Sequence, residues 1–193
     1  MPVSSRWLYF ATSNKHKFEE AKDVLRNYNI NLRLAKKKFE EIQSDDPRKI
    51  AINSLRKALM KDKLPMIVED AGLFVNVLNG FPGPYSAYVH GTLGIDGIIK
   101  LMSGKDDMKA EFRSVVAFGD SSIIKTFQGV VRGIISMQPR GKSGFGFDPI
   151  FIPKGSEKTF AEMSLEDKNR YSHRAIALKK FARWYVKLYQ SSK

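Results

Sequence analysis

The acid pair Glu69-Asp70 breaks an apolar run in IVEDAGLFV (67–75), and this break constrains the chain more than any other stretch. Ile67 and Val68 read as the end of a buried strand. Gly72 reopens the backbone, and a second apolar run from Leu73 to Leu78 follows. Adjacent side chains on a strand point to opposite faces, so at least one of the two carboxylates meets solvent or a cleft. An unpaired carboxylate is expensive to bury, so acids set between apolar runs call for a cation, a metal or hydrogen-bond donors. The plainer reading is a polar strand end, and the neighbouring segments must decide between the two.

A chain of 193 residues allows one good-sized domain with a core of its own, divided at most into lobes. No apolar run approaches the ~20 residues of a membrane helix. The short apolar stretch near the N-terminus lacks a cleavage-type small-residue pattern, so a cytoplasmic location is expected. The absence of cysteine excludes disulfides, iron–sulfur clusters and thiolate chemistry. The histidines, His16, His90 and His173, are far apart and show no metal-ligand spacing. With 33 basic against 20 acidic residues the formal charge is +13, which suits nucleic acid or a cleft for a polyanionic small molecule. The basic residues are scattered, with only Lys36–Lys38 forming a run, and such diffuse charge is weak support for nucleic acid.

Periodicity predicts strands at 7–11, 30–34 and 36–42, and one ending at Glu69-Asp70. Helices are predicted over 15–28, 47–62 and 94–102. Two β-rich runs within 109–136, joined at 119–122, predict a long hairpin. NGFPGPYS (79–86) and 141–155 read as loops from their glycine and proline content. Ser164 with Asp167 resembles a capping box for a short helix, and Ser172 is a plausible N-cap for a last helix over 173–189. Strands and helices alternate early and a strand-rich middle follows, which predicts a mixed α/β fold.

Four polar segments carry candidate chemistry. In TSNKHK (12–17), Thr12, Ser13 and Asn14 precede a helix whose free N–H groups attract phosphate, with Lys17 on its first turn; a plain helix cap explains the same residues. FEEIQ (39–43) carries Glu41, which matters only if it meets Asp70, since two carboxylates with phosphate oxygens and waters make a usual Mg²⁺ site. In GFGFDPIF (144–151), Gly144 and Gly146 free the backbone around Phe145. Phe145 or Phe147 can stack on a planar base and Asp148 can accept from ring N–H groups; a tight turn packed into the core is the alternative. In EDKNRYSHRAIAL (166–178), Lys168, His173 and Arg174 gather at a junction between helices, where dipole and basic side chains favour an anion or a polarised carbonyl.

Taken in order, these segments resemble the inosine triphosphate pyrophosphatase family, in an archaeal-like form. The resemblance rests on Thr12, Asn14 and Lys17; on E-D-x-G-L-x-V at 69–75; on NGFPGPYSA at 79–87; on GFGFDPIF at 144–151; and on TFAEMSLEDKNRYSHRAIAL at 159–178. It implies an elongated mixed sheet flanked by helices, with two lobes about a central cleft, usually as a homodimer. It also implies hydrolysis of non-standard purine nucleoside triphosphates (ITP, dITP, XTP) to the monophosphate and pyrophosphate. Asp70 is then the catalytic carboxylate, Glu41 and Asp70 hold Mg²⁺ (or Mn²⁺), and Thr12 to Lys17 hold the triphosphate. Lys57 would be a phosphate-side lysine, while Phe145, Gly146, Phe147, Asp148, Lys168, His173 and Arg174 would line the base and sugar end. Two departures stand out. Ala71 stands where the family commonly has serine, and Phe147 replaces a commoner tyrosine or tryptophan. The rival readings are a related pyrophosphatase of modified pyrimidine or methylated nucleotides, and a basic nucleic-acid-binding protein.

Overall fold

Seven strands form one sheet in the order β2-β1-β3-β5-β6-β7, with β4 pairing onto β3, in a computed structural model that describes residues 7–37 and 40–190. The strands are β1 (Leu8–Ala11), β2 (Leu32–Ala35), β3 (Met66–Val75), β4 (Pro82–Gly83), β5 (Lys109–Gly119), β6 (Ile124–Ile135) and β7 (Phe151–Pro153). The helices are α1 (Lys15–Arg26), α2 (Pro47–Lys61), α3 (Ser86–Thr92), α4 (Gly94–Met102), α5 (Leu165–Tyr171) and α6 (His173–Gln190). The chain is thus mixed α/β, a mixed sheet flanked by helices. β1 runs parallel to β2 and to β3, joined through α1 and α2, because parallel neighbours need a crossover. The remaining pairings are antiparallel, including the long β5–β6 hairpin.

Strand alternation sorts the core. Leu8, Phe10, Ile67, Val116 and Phe118 pack with Val24 and Leu25 of α1 and with Leu178, Phe181 and Tyr185 of α6. The intervening Ala11, Met66, Val68, Val115 and Ala117 pack instead with Ala51, Leu55 and Ala58 of α2. A third cluster, including Leu73, Val75, Ile98, Phe112, Phe151 and Phe160, fills the far end of the hairpin. Glu69 continues the α1/α6 face of β3 and Asp70 the α2 face. The two acids of the opening motif therefore serve different layers.

Three expectations need correcting. β3 does not end at Asp70 but continues to Val75, paired with β5 along all ten of its residues. Gly72 permits this: a Cβ there would stand 2.0 Å from the Gly83 carbonyl oxygen, so the β4 loop closes against bare backbone. The strand expected over 36–42 is absent at residues 36, 37 and 40–42, while 38 and 39 lie outside the described residues. β2 is already the edge of the sheet, and Lys36 and Lys37 bring no apolar face to bury. Finally, two stretches read as loop hold regular structure: α3 begins at Ser86, and β7 lies within 141–155.

Candidate active site

The site forms where β3 passes between the two helical layers. On the α1/α6 face, the Glu69 carboxylate is buried and fully engaged. Its Oε1 accepts from Ser114 Oγ at 2.6 Å and Arg174 Nε at 3.1 Å, and its Oε2 pairs with Lys17 Nζ at 2.9 Å. Burial alone would raise its pKa, but Arg174 and Lys17 overcome this and hold the group well below the carboxylate range. Asp70 is its opposite. It is equally buried, yet its Oδ2 has no hydrogen-bond partner. Burial pushes the Asp70 carboxyl up to about 7, against the pull of Lys17 and with the further push of Glu69 and Glu41. Glu41 thus lies close enough for its charge to be felt at Asp70.

Beside the acids is a polar recess of about 380 Å³, lined by residues that include Thr12, Ser13, Asn14, Lys17, Glu41 and Ser54. Asn14 caps α1, its Oδ1 accepting from Lys17 N at 3.1 Å, and Thr12 Oγ1 accepts from Asn14 N at 3.1 Å. The segment is therefore a helix cap and the floor of a cavity at once. Ser54, on α2, is buried and its Oγ has no partner.

On the other side of Lys17 lies a cavity of about 310 Å³ with aromatic walls. Phe112, Phe145, Phe147 and His173 line it, together with Ala71, Ser86 and Arg174. The His173 ring stacks on Phe112 at 4.7 Å between centroids and 10° between planes. Burial and the adjacent Arg174 keep the imidazole pKa well below its ordinary value, so the ring is neutral and offers one donor and one acceptor; Nδ1 has no partner. Gly129 on β6 allows α6 to start here, since a Cβ would stand 2.0 Å from the His173 carbonyl oxygen.

A buried ion network lies behind this cavity. Glu20 of α1 pairs with Arg174 Nη1 and accepts from Lys168 Nζ at 2.7 Å, and Lys168 also donates to Asp148 Oδ2 at 2.6 Å. Burial would raise the Glu20 pKa, but Arg174 and Lys168 bring it below the ordinary value. Asp148 shifts upward because its burial outweighs the attraction of Lys168. Three cations, Lys17, Lys168 and Arg174, face three carboxylates, Glu20, Glu69 and Asp148. The neutral balance is what makes so much buried charge tolerable.

The sequence model of the Ham1 family matches residues 8–184. This chain belongs to the Ham1 family. Among its Ham1 relatives, the dITP/XTP pyrophosphatase of Saccharolobus solfataricus is 52% identical over 171 residues, covering 89% of each chain. The dITP/XTP pyrophosphatase of Methanopyrus kandleri is 49% identical over 179 residues, covering 91% of this chain and 94% of the relative. Among solved structures, the Ham1 protein of Staphylococcus aureus superposes with a TM-score of 0.81 at 27% identity, over 97% of this chain and 100% of the other. The HAM1 protein of Coxiella burnetii gives 0.83 at 28%, over 94% and 99%.

The Ham1 cleft gathers most of the residues singled out in the sequence, though not all in the expected place. Thr12, Ser13, Asn14, Lys17 and Glu41 share the polar recess, while Ala71, Phe145, Gly146, Phe147, Asp148, His173 and Arg174 share the aromatic cavity. Asp70 lines neither, lying between Glu69 of the recess and Ala71 of the cavity, and Lys57 lines neither. Its ammonium donates to the Glu40 carbonyl at 2.6 Å and so tethers the segment that carries Glu41. Lys168 does not line the cavity either, because Glu20 and Asp148 hold its ammonium behind Phe145. Sequence reasoning missed Glu20, Ser114, Ser86 and Phe112. Glu20 had a signal: it adjoins Ala21 and lies one turn before Val24, a charge inside the apolar stripe of α1. Ser86 had none. Its Oγ accepts from Leu73 N at 2.8 Å and donates to the Gly83 carbonyl at 2.7 Å, a bridge visible only after the loop folds back.

Proposed function

We propose that this Ham1 protein hydrolyses non-standard purine nucleoside triphosphates (ITP, dITP and XTP) to the monophosphate and pyrophosphate, with Mg²⁺ or Mn²⁺. One observation carries the reading: Asp70, a buried carboxylate with a free oxygen, lies between Glu69, which lines the polar recess, and Ala71, which lines the aromatic cavity, in a chain closely similar to dITP/XTP pyrophosphatases. The triphosphate lies in the recess against the α1 N-terminus, Thr12, Ser13, Asn14 and Lys17. The base enters the aromatic cavity. The α–β bridge then falls near Asp70, which orients or deprotonates the attacking water.

Among the described residues no group of three or more His, Asp or Glu side chains could hold a metal ion unaided. The donors present nevertheless suit a hard cation. Asp70 keeps an unpartnered oxygen beside a second carboxylate, Glu41, and Mg²⁺ is usually bound through one or two carboxylates with phosphates and waters completing the shell. When bound, the ion neutralises charge building on the phosphate oxygens. Lys17, already drawn in by Glu69, and the helix amides steady the departing pyrophosphate.

Base choice rests on the cavity. Neutral His173 and the guanidinium N–H groups of Arg174 not engaged by Glu20 and Glu69 suit a 6-keto oxygen, and a 6-amino group leaves them unmatched. Ala71 and Phe147 leave the cavity without a hydroxyl at either position, so both bear on base preference before reaction class. We further propose a single domain of two lobes, a homodimer, and a cytoplasmic location, supported by the resemblance and, for the dimer, by the exposed apolar side chains of Tyr88, Leu93 and Leu101. A panel of nucleoside triphosphates assayed for released pyrophosphate, with and without chelator, tests the reading. Inosine and xanthosine triphosphates should be cut far faster than adenosine or pyrimidine triphosphates, and only with the cation; a preference for modified pyrimidine or methylated nucleotides would select the rival enzyme.

A further inference from the structure

Phe145 presents its ring to the aromatic cavity from a turn tied to Asp148, whose Oδ2 accepts from Phe145 N at 2.8 Å and whose N–H donates to the Phe145 carbonyl at 3.2 Å. Gly144 and Gly146 on either side both take positive φ, +76° and +62°, and the ring is only half-buried. These bonds hold the backbone, while the ring's attitude is set by side chains from distant elements, the Arg174 guanidinium at 5.4 Å among them. The His16 imidazole stacks on Phe145 with 17° between planes and 5.4 Å between centroids. His16 sits on the first turn of α1, between the capping Asn14 and Lys17, and is itself exposed and outside the cavity lining. One turn further, Glu20 binds Lys168, whose ammonium lies 5.1 Å from the Phe145 ring centroid. The helix whose N-terminus faces the polar recess thus also grips the ring at the base end.

We infer that His16 is a positioning residue for base recognition: its stack holds the Phe145 ring in the attitude a purine meets, and ties the base end of the cleft to the phosphate-facing helix. The inference rests on the function proposed above, and it acts through Phe145, not on the phosphates. An offset aromatic pair is worth enough to bias a glycine-flanked ring between held and released positions. An exposed stacking partner contributes little to the fold itself, which separates this role from a structural one.

The test compares wild-type protein, His16→Ala and His16→Phe by titration calorimetry with two ligands. One is inosine triphosphate with a methylene bridge between its α and β phosphates; the other is inorganic triphosphate, which has no base. His16→Ala should bind the nucleotide analogue roughly two- to tenfold more weakly, as loss of an aromatic pair implies. Its affinity for inorganic triphosphate and its melting temperature should not change, and His16→Phe should restore wild-type affinity. Equal affinities of wild type and His16→Ala for the analogue overturn the inference. A parallel loss for inorganic triphosphate would place His16 on the phosphates, and failure of His16→Phe to restore binding would exclude stacking; either also overturns it. Wild-type protein that binds neither ligand would instead refute the underlying functional reading.

Discussion

At the polar end of the cleft, Asp70 and Ser54 keep buried oxygens without partners, and Ser13 and Glu41 stand in the open. At the aromatic end, the buried charges of Glu20, Asp148, Lys168 and Arg174 are already matched to one another. The first arrangement leaves carboxylate and hydroxyl oxygens open for a ligand, whereas in the second the charges are paired and His173 Nδ1 is left open. A polyphosphate brings its own charge and a cation, so the groups that meet it gain by being left free. A neutral base brings only a few donors and acceptors, so it is better read by groups whose positions are set beforehand. The contrast also changes the meaning of the basic residues near the C-terminus. Lys168 and Arg174 are held first by carboxylates, and under the proposed function only the N–H groups of Arg174 left over in the cavity are available for recognition.

The largest effect that can break this contrast is at Asp70. Asp70→Asn should lower turnover roughly a thousandfold, within the range of a lost general base, while the Michaelis constant changes little and the fold persists by circular dichroism. Retained turnover would remove Asp70 from the chemistry. The next effect lies at the aromatic end. Glu20→Gln leaves Arg174 and Lys168 under-compensated and should cost about 3–5 kcal/mol in urea unfolding, the usual result of removing one partner from a buried ion pair. A loss below about 1 kcal/mol, as at exposed pairs, would show that the network is not the frame of the base cavity.

That loss should depend on pH. The folded Glu20 carboxyl titrates below its ordinary value of 4.5, because Arg174 and Lys168 outweigh its burial. Its contribution to stability is therefore full above that value and is lost as the pH falls below it, through the lowered folded value. The difference between wild type and Glu20→Gln should shrink in acid, and a difference that grew there would contradict the pairing. The smallest effect belongs to Phe145. Phe145→Ala should raise the Michaelis constant for inosine triphosphate by roughly three- to tenfold, more than it lowers turnover, as removal of a stacking face implies. A pure loss of turnover would show that the ring does not meet the base.

Much of the fold was legible from periodicity. The strand before Thr12, the helices over 15–28 and 47–62, the hairpin within 109–136 and the Ser172 cap all depend on residues close in sequence. The mixed α/β architecture followed from their order. What was not legible depends on close approach between distant segments. The acid pair looked like a strand end because nothing in IVEDAGLFV shows that Gly72 lies against the Gly83 carbonyl and lets the strand run on. Lys168 looked like a ligand because its two carboxylates, Glu20 and Asp148, lie 148 and 20 residues away. Lys57 looked like a phosphate lysine, and only the folded chain shows it on the Glu40 carbonyl. The residue types were readable, and whether a charge was already satisfied was not.

The central claim is that water is added across the α–β bridge of a purine triphosphate at Asp70. Inosine triphosphate incubated with Mg²⁺ and either wild-type or Asp70→Asn protein, with products separated by anion exchange, tests it most directly. Wild type should release inosine monophosphate and pyrophosphate in equal amounts, with no orthophosphate, and the variant should release neither above background. Orthophosphate with inosine diphosphate from the wild type, or undiminished pyrophosphate from the variant, would contradict the account.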